Sequence, residues 1–182
     1  MSPEPGDTAL LLIDLQEPIL ARGKTNPAET VRARASVLVR AAALLEIPIV
    51  LSGVAQGDEP PRFIDEVPGA PIPRTRPGAL DDEATFAAIK ATGRRGLAIG
   101  GVLTEVATYA AAVGAVREGF DVVLLVDACS GASERTEAAV LETLGLSGVR
   151  ILPVASFLAG LIENFGEEPG KSLLPLVRQT YA

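Results

Sequence analysis

The chain has 182 residues, is 48% hydrophobic and 4% aromatic, and carries a formal net charge of -7 with a pI near 4.7. That length and composition suffice for one sizeable core, so residues 1–182 are read as a single domain, and the negative field disfavours nucleic acid and anionic membrane as partners. Histidine is absent and Cys129 is the single cysteine, which excludes an intrachain disulfide, leaves no basis for a zinc, copper or haem site, and removes any Ser-His or Cys-His catalytic pair. The start "MSPEPGD" lacks a basic and apolar leader and no apolar run is long enough to span a bilayer, so the expectation is a cytoplasmic protein without cofactor or metal.

In chain order, "TALLLID" (8–14) is a continuous apolar run, the pattern of a strand buried on both faces. "NPAET" supplies Asn26 as an N-cap, Pro27 at the first helical position and Glu29 as the partner in a capping box, opening a helix to about residue 46. "IPIVLS" (47–52) reads as a second strand. The Gly/Pro-rich stretch 53–78 is too long for a simple connection, and its "APIPR" has the look of a short strand. A helix over about 81–92 stops at Gly93, and "GLAIGG" is a strand. Thr104 is expected to cap a helix ending at Gly119, and "DVVLLVDA" is a strand. "SERTEAAVLETLG" is a helix stopped by Gly145, "VRILP" is a last strand, and a helix over 156–164 follows. The apolar tail 165–182 is expected to pack at a subunit interface. Strands alternating with helices predict an α/β fold: a doubly wound, mainly parallel, six-stranded Rossmann-like sheet with helices on both faces.

Such sheets bind ligands beyond the carboxyl ends of the strands, where the winding direction reverses. For a strand order 3-2-1-4-5-6 the reversal falls between the first strand and "GLAIGG", which delivers Asp14 and the turn Gly101-Val102-Leu103-Thr104. A helix starting near Thr104 would aim its free N–H groups there. Asp127 is read as an anchor for the loop after its strand. "GGVLTEV" is no dinucleotide fingerprint: it lacks the third glycine of G-x-G-x-x-G and follows the fourth strand, and no Walker-type GxxxxGK[ST] exists.

Three blocks, "TALLLIDLQ", "RPGAL" and "ATGRRGLAIGGVLTEVATYAAAVGAVREGFDVVLLVDACSG", resemble the isochorismatase-like hydrolase superfamily, the cysteine hydrolases. The likeness is greatest to an uncharacterised ring-forming branch in which "TEVCV", "EG(F/Y)-V" and "DASG" recur. The resemblance implies a triad of Asp, Lys and Cys. Its aspartate, general base for the thiol, falls on Asp14. Its lysine falls on Arg76, with Arg74 as competitor, and its nucleophile falls on Ala107. It also implies a cis peptide at Val102-Leu103 that turns backbone N–H groups into an oxyanion hole, ligand contacts from Val102, Leu103, Thr104 and Thr108, and homo-oligomeric assembly; Gln16 of "DLQ" fits equally a contact to Asp14 or a substrate amide and a bond to the loop backbone.

Ala107 cannot form a thioester, so the covalent amidase route is closed at that position. Arginine keeps the positive charge of the lysine but hardly ever releases a proton, and it grips carboxylates in a fork. The metal-binding Asp/His cluster of nicotinamidases cannot exist in a chain without histidine. Two readings of different class follow. One is a hydrolase or lyase in which Asp14 does acid/base chemistry on a small anionic or carbonyl-containing metabolite without a covalent intermediate, as the cysteine-free true isochorismatases resembling this chain do on a vinyl ether. The other is a catalytically inactive small-molecule-binding or assembly protein on the same fold. The discriminating feature is whether Asp14 and Arg76 share a cavity of ligand size. A third reading, thiol chemistry through Cys129, competes with its being a small buried filler. Glu105 complements the helix dipole, Arg94-Arg95 forms a solvated loop, and Tyr109 fits pocket or core equally well.

Overall fold

In the computed structural model, residues 4–55, 57 and 59–181 are described; the reading of the N-terminus as leaderless rests partly on residues 1–3, which lie outside them. Six strands form one sheet: β1 (Thr8–Ile13), β2 (Ile49–Val54), β3 (Ile72–Arg74), β4 (Gly96–Val102), β5 (Asp121–Ser130) and β6 (Arg150–Leu152). Their order is β3-β2-β1-β4-β5-β6 and every pairing is parallel. The winding therefore reverses between β1 and β4, where Ile13 pairs with Gly101.

Every residue of β1 is buried, which is why it reads as an unbroken apolar run rather than an alternating one. Its odd and even residues serve different cores. Leu10 and Leu12 pack in one with Leu38, Phe157 and Leu173, beneath α2 (Ala28–Leu44), α6 (Val154–Gly160) and α7 (Gly170–Gln179). Leu11 and Ile13 pack in the other with Ile89, Ala111 and Leu144, beneath α3 (Glu83–Ala91), α4 (Tyr109–Arg117) and α5 (Glu134–Leu146). A short α1 (Glu17–Leu20) follows β1. The expected doubly wound α/β fold is the fold observed.

Local details differ from expectation where tertiary partners outbid local capping. Pro27, in extended backbone, is the residue flanking α2, and no side chain caps that helix. The Asn26 amide instead donates to the carbonyls of Val126 and Cys129, so it ties the loop to β5. Thr104 is not a cap either. The segment Thr104–Thr108 is a π-helical turn flanked by Leu103, and the Thr104 hydroxyl donates to Glu137 at 2.6 Å. Asp82 and Ser133 do cap α3 and α5 through Thr85 and Thr136. The "APIPR" strand is present as β3, and the helix expected over 156–164 is α6, which begins two residues earlier and ends four residues earlier. In the tail, Leu173, Leu176 and Val177 of α7 are buried against their own chain.

Candidate functional site

β1 ends one residue before Asp14, which adopts a left-handed backbone with φ 52°. Aspartate tolerates that region better than most residues, but it is costly enough to need support. The support is visible: the Asp14 N–H donates to the Ser52 carbonyl at 3.1 Å, and its own carbonyl accepts from Gln16 N–H at 2.7 Å. The turn aims the side chain at β2 and β3. There Oδ1 accepts from Val54 N–H at 2.9 Å and from Arg74 Nη1 at 2.8 Å, while Oδ2 accepts from Arg74 Nη2 at 2.5 Å. The side chains of this forked pair are only 6% and 1% exposed. Such pairs hold position well, because removal of one partner strands the other's charge.

Arg74, not Arg76, thus holds Asp14. The reason is register: Arg74 is the last residue of β3, delivered to the carboxyl edge just as Asp14 is from β1. Its Nε donates to the Arg76 carbonyl at 3.0 Å, which fixes the following loop. Arg76 itself is exposed, and it lines the same cavity as Asp14 and Arg74.

That cavity has a volume of about 330 Å³. Val102, Leu103, Val106 and Ala107 form its β4 side, and Ile19, Arg22, Val54 and the loop Thr75-Arg76-Pro77 close the rest. Val102-Leu103 is a cis peptide, as the resemblance implies. Ala107 is nearly buried and presents a methyl group where a nucleophile is expected. The π-helical turn, stitched by Thr108 N–H to the Leu103 carbonyl at 3.4 Å, sets Val106 outward, 53% exposed at the cavity wall. Single π turns recur at functional sites because they change which residues a helix start presents.

Three expected ligand contacts lie elsewhere. Gln16 donates to the Val54 carbonyl at 3.2 Å and faces a separate cavity of about 140 Å³ with Pro18, Glu59, Pro60, Pro61 and Arg62. Its Oε1 has no hydrogen-bond partner. Thr104 is turned to Glu137, and Thr108 is fully buried with its hydroxyl unpartnered. The remaining polar groups are structural. Asp127 accepts from Arg34 at 2.8 Å and from Val154 N–H at 2.7 Å, anchoring the β6–α6 connection. Glu105 binds Ala132 N–H and Thr136. Cys129 is fully buried and lies outside the cavity lining, and burial pushes its thiol up to about 12. It is the filler, not a nucleophile. Among the described residues no group of three or more His, Cys, Asp or Glu is placed to hold a metal ion, and no helix is long and apolar enough to cross a membrane.

Arg22, Val54, Thr75 and Val106 were not expected at the site. A signal existed only for Arg74: once "APIPR" is taken as a strand, the carboxyl-end rule selects its last residue.

The isochorismatase domain family matches residues 8–156, and this chain belongs to that family. It is 30% identical over 153 residues, 80% of its length and 73% of the relative's, to the probable hydrolase YcaC of Escherichia coli K12. The crystal structure of the Escherichia coli YcaC gene product, an octameric hydrolase of unknown specificity, superposes with a TM-score of 0.88 at 26% identity, covering 100% of this chain and 95% of that one. YcaC from Pseudomonas aeruginosa, solved with hexane-2,5-diol and covalent acrylamide, shares the fold with a TM-score of 0.85 at 21% identity, covering 100% and 98%.

Proposed function

We propose that this protein is a cysteine-independent hydrolase of the isochorismatase family, in which Asp14 manages the proton of an attacking water. The carrying observation is the Asp14–Arg74 pair set in the wall of a cavity of about 330 Å³ beside Ala107. The substrate is a small anionic or carbonyl-containing metabolite. Water oxygen bonds to the electrophilic carbon while a water proton passes to an Asp14 oxygen. The bond to the leaving group then breaks, and the leaving atom takes that proton back, so no enzyme-bound acyl group forms. Arg74 holds the carboxylate in place, and Leu103 and Ala107 border the carbon under attack. The octameric state of the Escherichia coli relative supports a homo-oligomer here as well.

One observation favours a second reading, a binding protein without chemistry. Both Asp14 oxygens are already engaged by three N–H donors at 2.5–2.9 Å, and a proton transfer must displace part of that set. Turnover of vinyl ethers, primary amides and simple esters, followed by mass spectrometry, separates the two. Wild type is expected to turn over at least one class, Cys129→Ala to match it, and Asp14→Asn to lose about 10²- to 10⁴-fold in kcat/KM. No turnover in either protein hands the site to the binding reading, and equal turnover in wild type and Asp14→Asn removes Asp14 from the chemistry.

A further inference from the structure

Acids outnumber bases 23 to 16 in this chain, yet the cavity lining holds three arginines against one aspartate. Arg74 is consumed by Asp14, so the floor is electrically balanced. The other two, Arg22 and Arg76, are exposed, come from two different loops, and enter no side-chain ion pair or hydrogen bond among the described residues. Arg22 comes from the turn after α1, closed by its N–H to the Ile19 carbonyl at 2.9 Å. Arg76 comes from the loop after β3, whose carbonyl is fixed by Arg74. Between them the walls are apolar: Ile19, Val54, Pro77, Val102, Leu103 and Val106.

We propose that Arg22 and Arg76 form a two-cation mouth that selects a small organic carboxylate, its anionic head between the two guanidinium groups and its apolar body inside. Two guanidinium forks suit a carboxylate, and an unpaired cation beside a low-dielectric wall attracts anions more strongly than one flanked by acids. The neutral floor adds no repulsion. An anion held at the mouth extends its far end to Asp14 and Ala107, so the reactive bond lies several atoms from the carboxylate. Arg22 is the specificity-determining residue that sequence motifs do not mark. The inference rests on the cavity being the site, as the proposed function has it.

The test uses three probes, hexanoate, its neutral isostere hexanamide, and inorganic phosphate. Binding is followed through the backbone amide signals of Val102, Leu103 and Ala107 in wild type, Arg22→Gln, Arg76→Gln and the double variant. Hexanoate is expected to bind about tenfold tighter than hexanamide, to weaken about threefold in each single variant, and to fall to the hexanamide level in the double variant, with hexanamide unchanged throughout. Phosphate, which lacks an apolar body, is expected to bind more weakly than hexanoate. Equal affinity for hexanoate and hexanamide, hexanoate binding that ignores both substitutions, or phosphate binding as tightly as hexanoate overturns carboxylate selection while leaving the cavity as the site. Failure of every probe to move those signals overturns the selection and the site together.

Discussion

Asp14 and Asp127 end the same kind of apolar run, "LLLID" and "LLVDA", and each holds an arginine, yet Asp14 lines the cavity of about 330 Å³ and Asp127 does not. At the β1–β4 reversal the neighbouring helices diverge to opposite faces, and a cavity lined by Asp14, Val54 and Val102 opens at the strand ends. At β5 there is no reversal. The loop 21–27 lies across its end, with Asn26 and Ser130 exchanging hydrogen bonds and Asp127 holding α6. The residue type therefore settles little; the topology above it decides whether a carboxylate is a tool or an anchor.

The sharpest way to break that contrast is through glycine. Gly101, paired to Ile13, has φ 149°, and a Cβ there would lie 2.2 Å from the Ile13 carbonyl oxygen. Both sides of that contact are sheet backbone, so neither yields. At the β5 end, a Cβ on Gly131 would meet the Glu105 carboxylate at 2.9 Å and the Glu137 Cβ at 2.9 Å; the half-buried Glu105 side chain can swing away at the loss of its bonds to Ala132 and Thr136, and α5 must give slightly at Glu137. Gly101→Ala is expected to cost more than about 4 kcal/mol or yield no soluble protein, and Gly131→Ala about 1–3 kcal/mol. Urea denaturation of both variants checks this; equal costs would mean that the reversal is no tighter than the β5 end.

The two ion pairs sharpen the contrast next. Arg74→Ala leaves a buried carboxylate unpaired and is expected to cost about 3–5 kcal/mol, with Asp14→Ala/Arg74→Ala less destabilised than Arg74→Ala alone. Arg34→Ala opens a pair whose side chains are 13% and 23% exposed, where water can replace the lost partner, and about 1 kcal/mol is expected. The same urea titrations measure both. A double variant worse than Arg74→Ala would show that Asp14 is held by Val54 N–H rather than by the arginine.

What the sequence disclosed divides along the same line. The parallel α/β sheet followed from alternating strands and helices and from apolar runs buried on both faces; given the strand order 3-2-1-4-5-6, Asp14, Val102 and Leu103 followed from its reversal, and Ala107 followed from the family resemblance. Arg76 was placed at the cavity, but the partner of Asp14 was not separable from it: the two arginines are two residues apart, and only the three-residue strand β3 decides which one reaches the floor. Gln16 took the backbone-bonding alternative, to the Val54 carbonyl, and Thr104 and Thr108 lie away from the cavity because their directions are set by Glu137, remote in sequence, and by the π turn. Local capping rules could not see that Asn26 prefers the β5 carbonyls over its own helix.

The smallest expected effects concern the two positions where thiol chemistry would be sought. Burial raises the Cys129 thiol from its ordinary 9.0 to about 12. The native state then keeps a proton that the unfolded chain sheds above pH 9.0, so this contribution to stability is whole below pH 9.0 and drains away as pH climbs towards 12. Between pH 8 and 10, wild type is expected to lose about 1.4 kcal/mol more than Cys129→Ala, read from urea midpoints at each pH. At pH 8 native wild type should resist iodoacetamide, since a buried neutral thiol is a poor nucleophile. Ala107→Cys places a thiol on the cavity wall at a cost within about 1 kcal/mol, because the added sulfur has the cavity to enter, and it should take up one label that Cys129 does not. Labelling of Cys129 at a comparable rate in the native protein would show that the β5 end opens as readily as the cavity, and the distinction between anchor and tool would then rest on Asp14 alone.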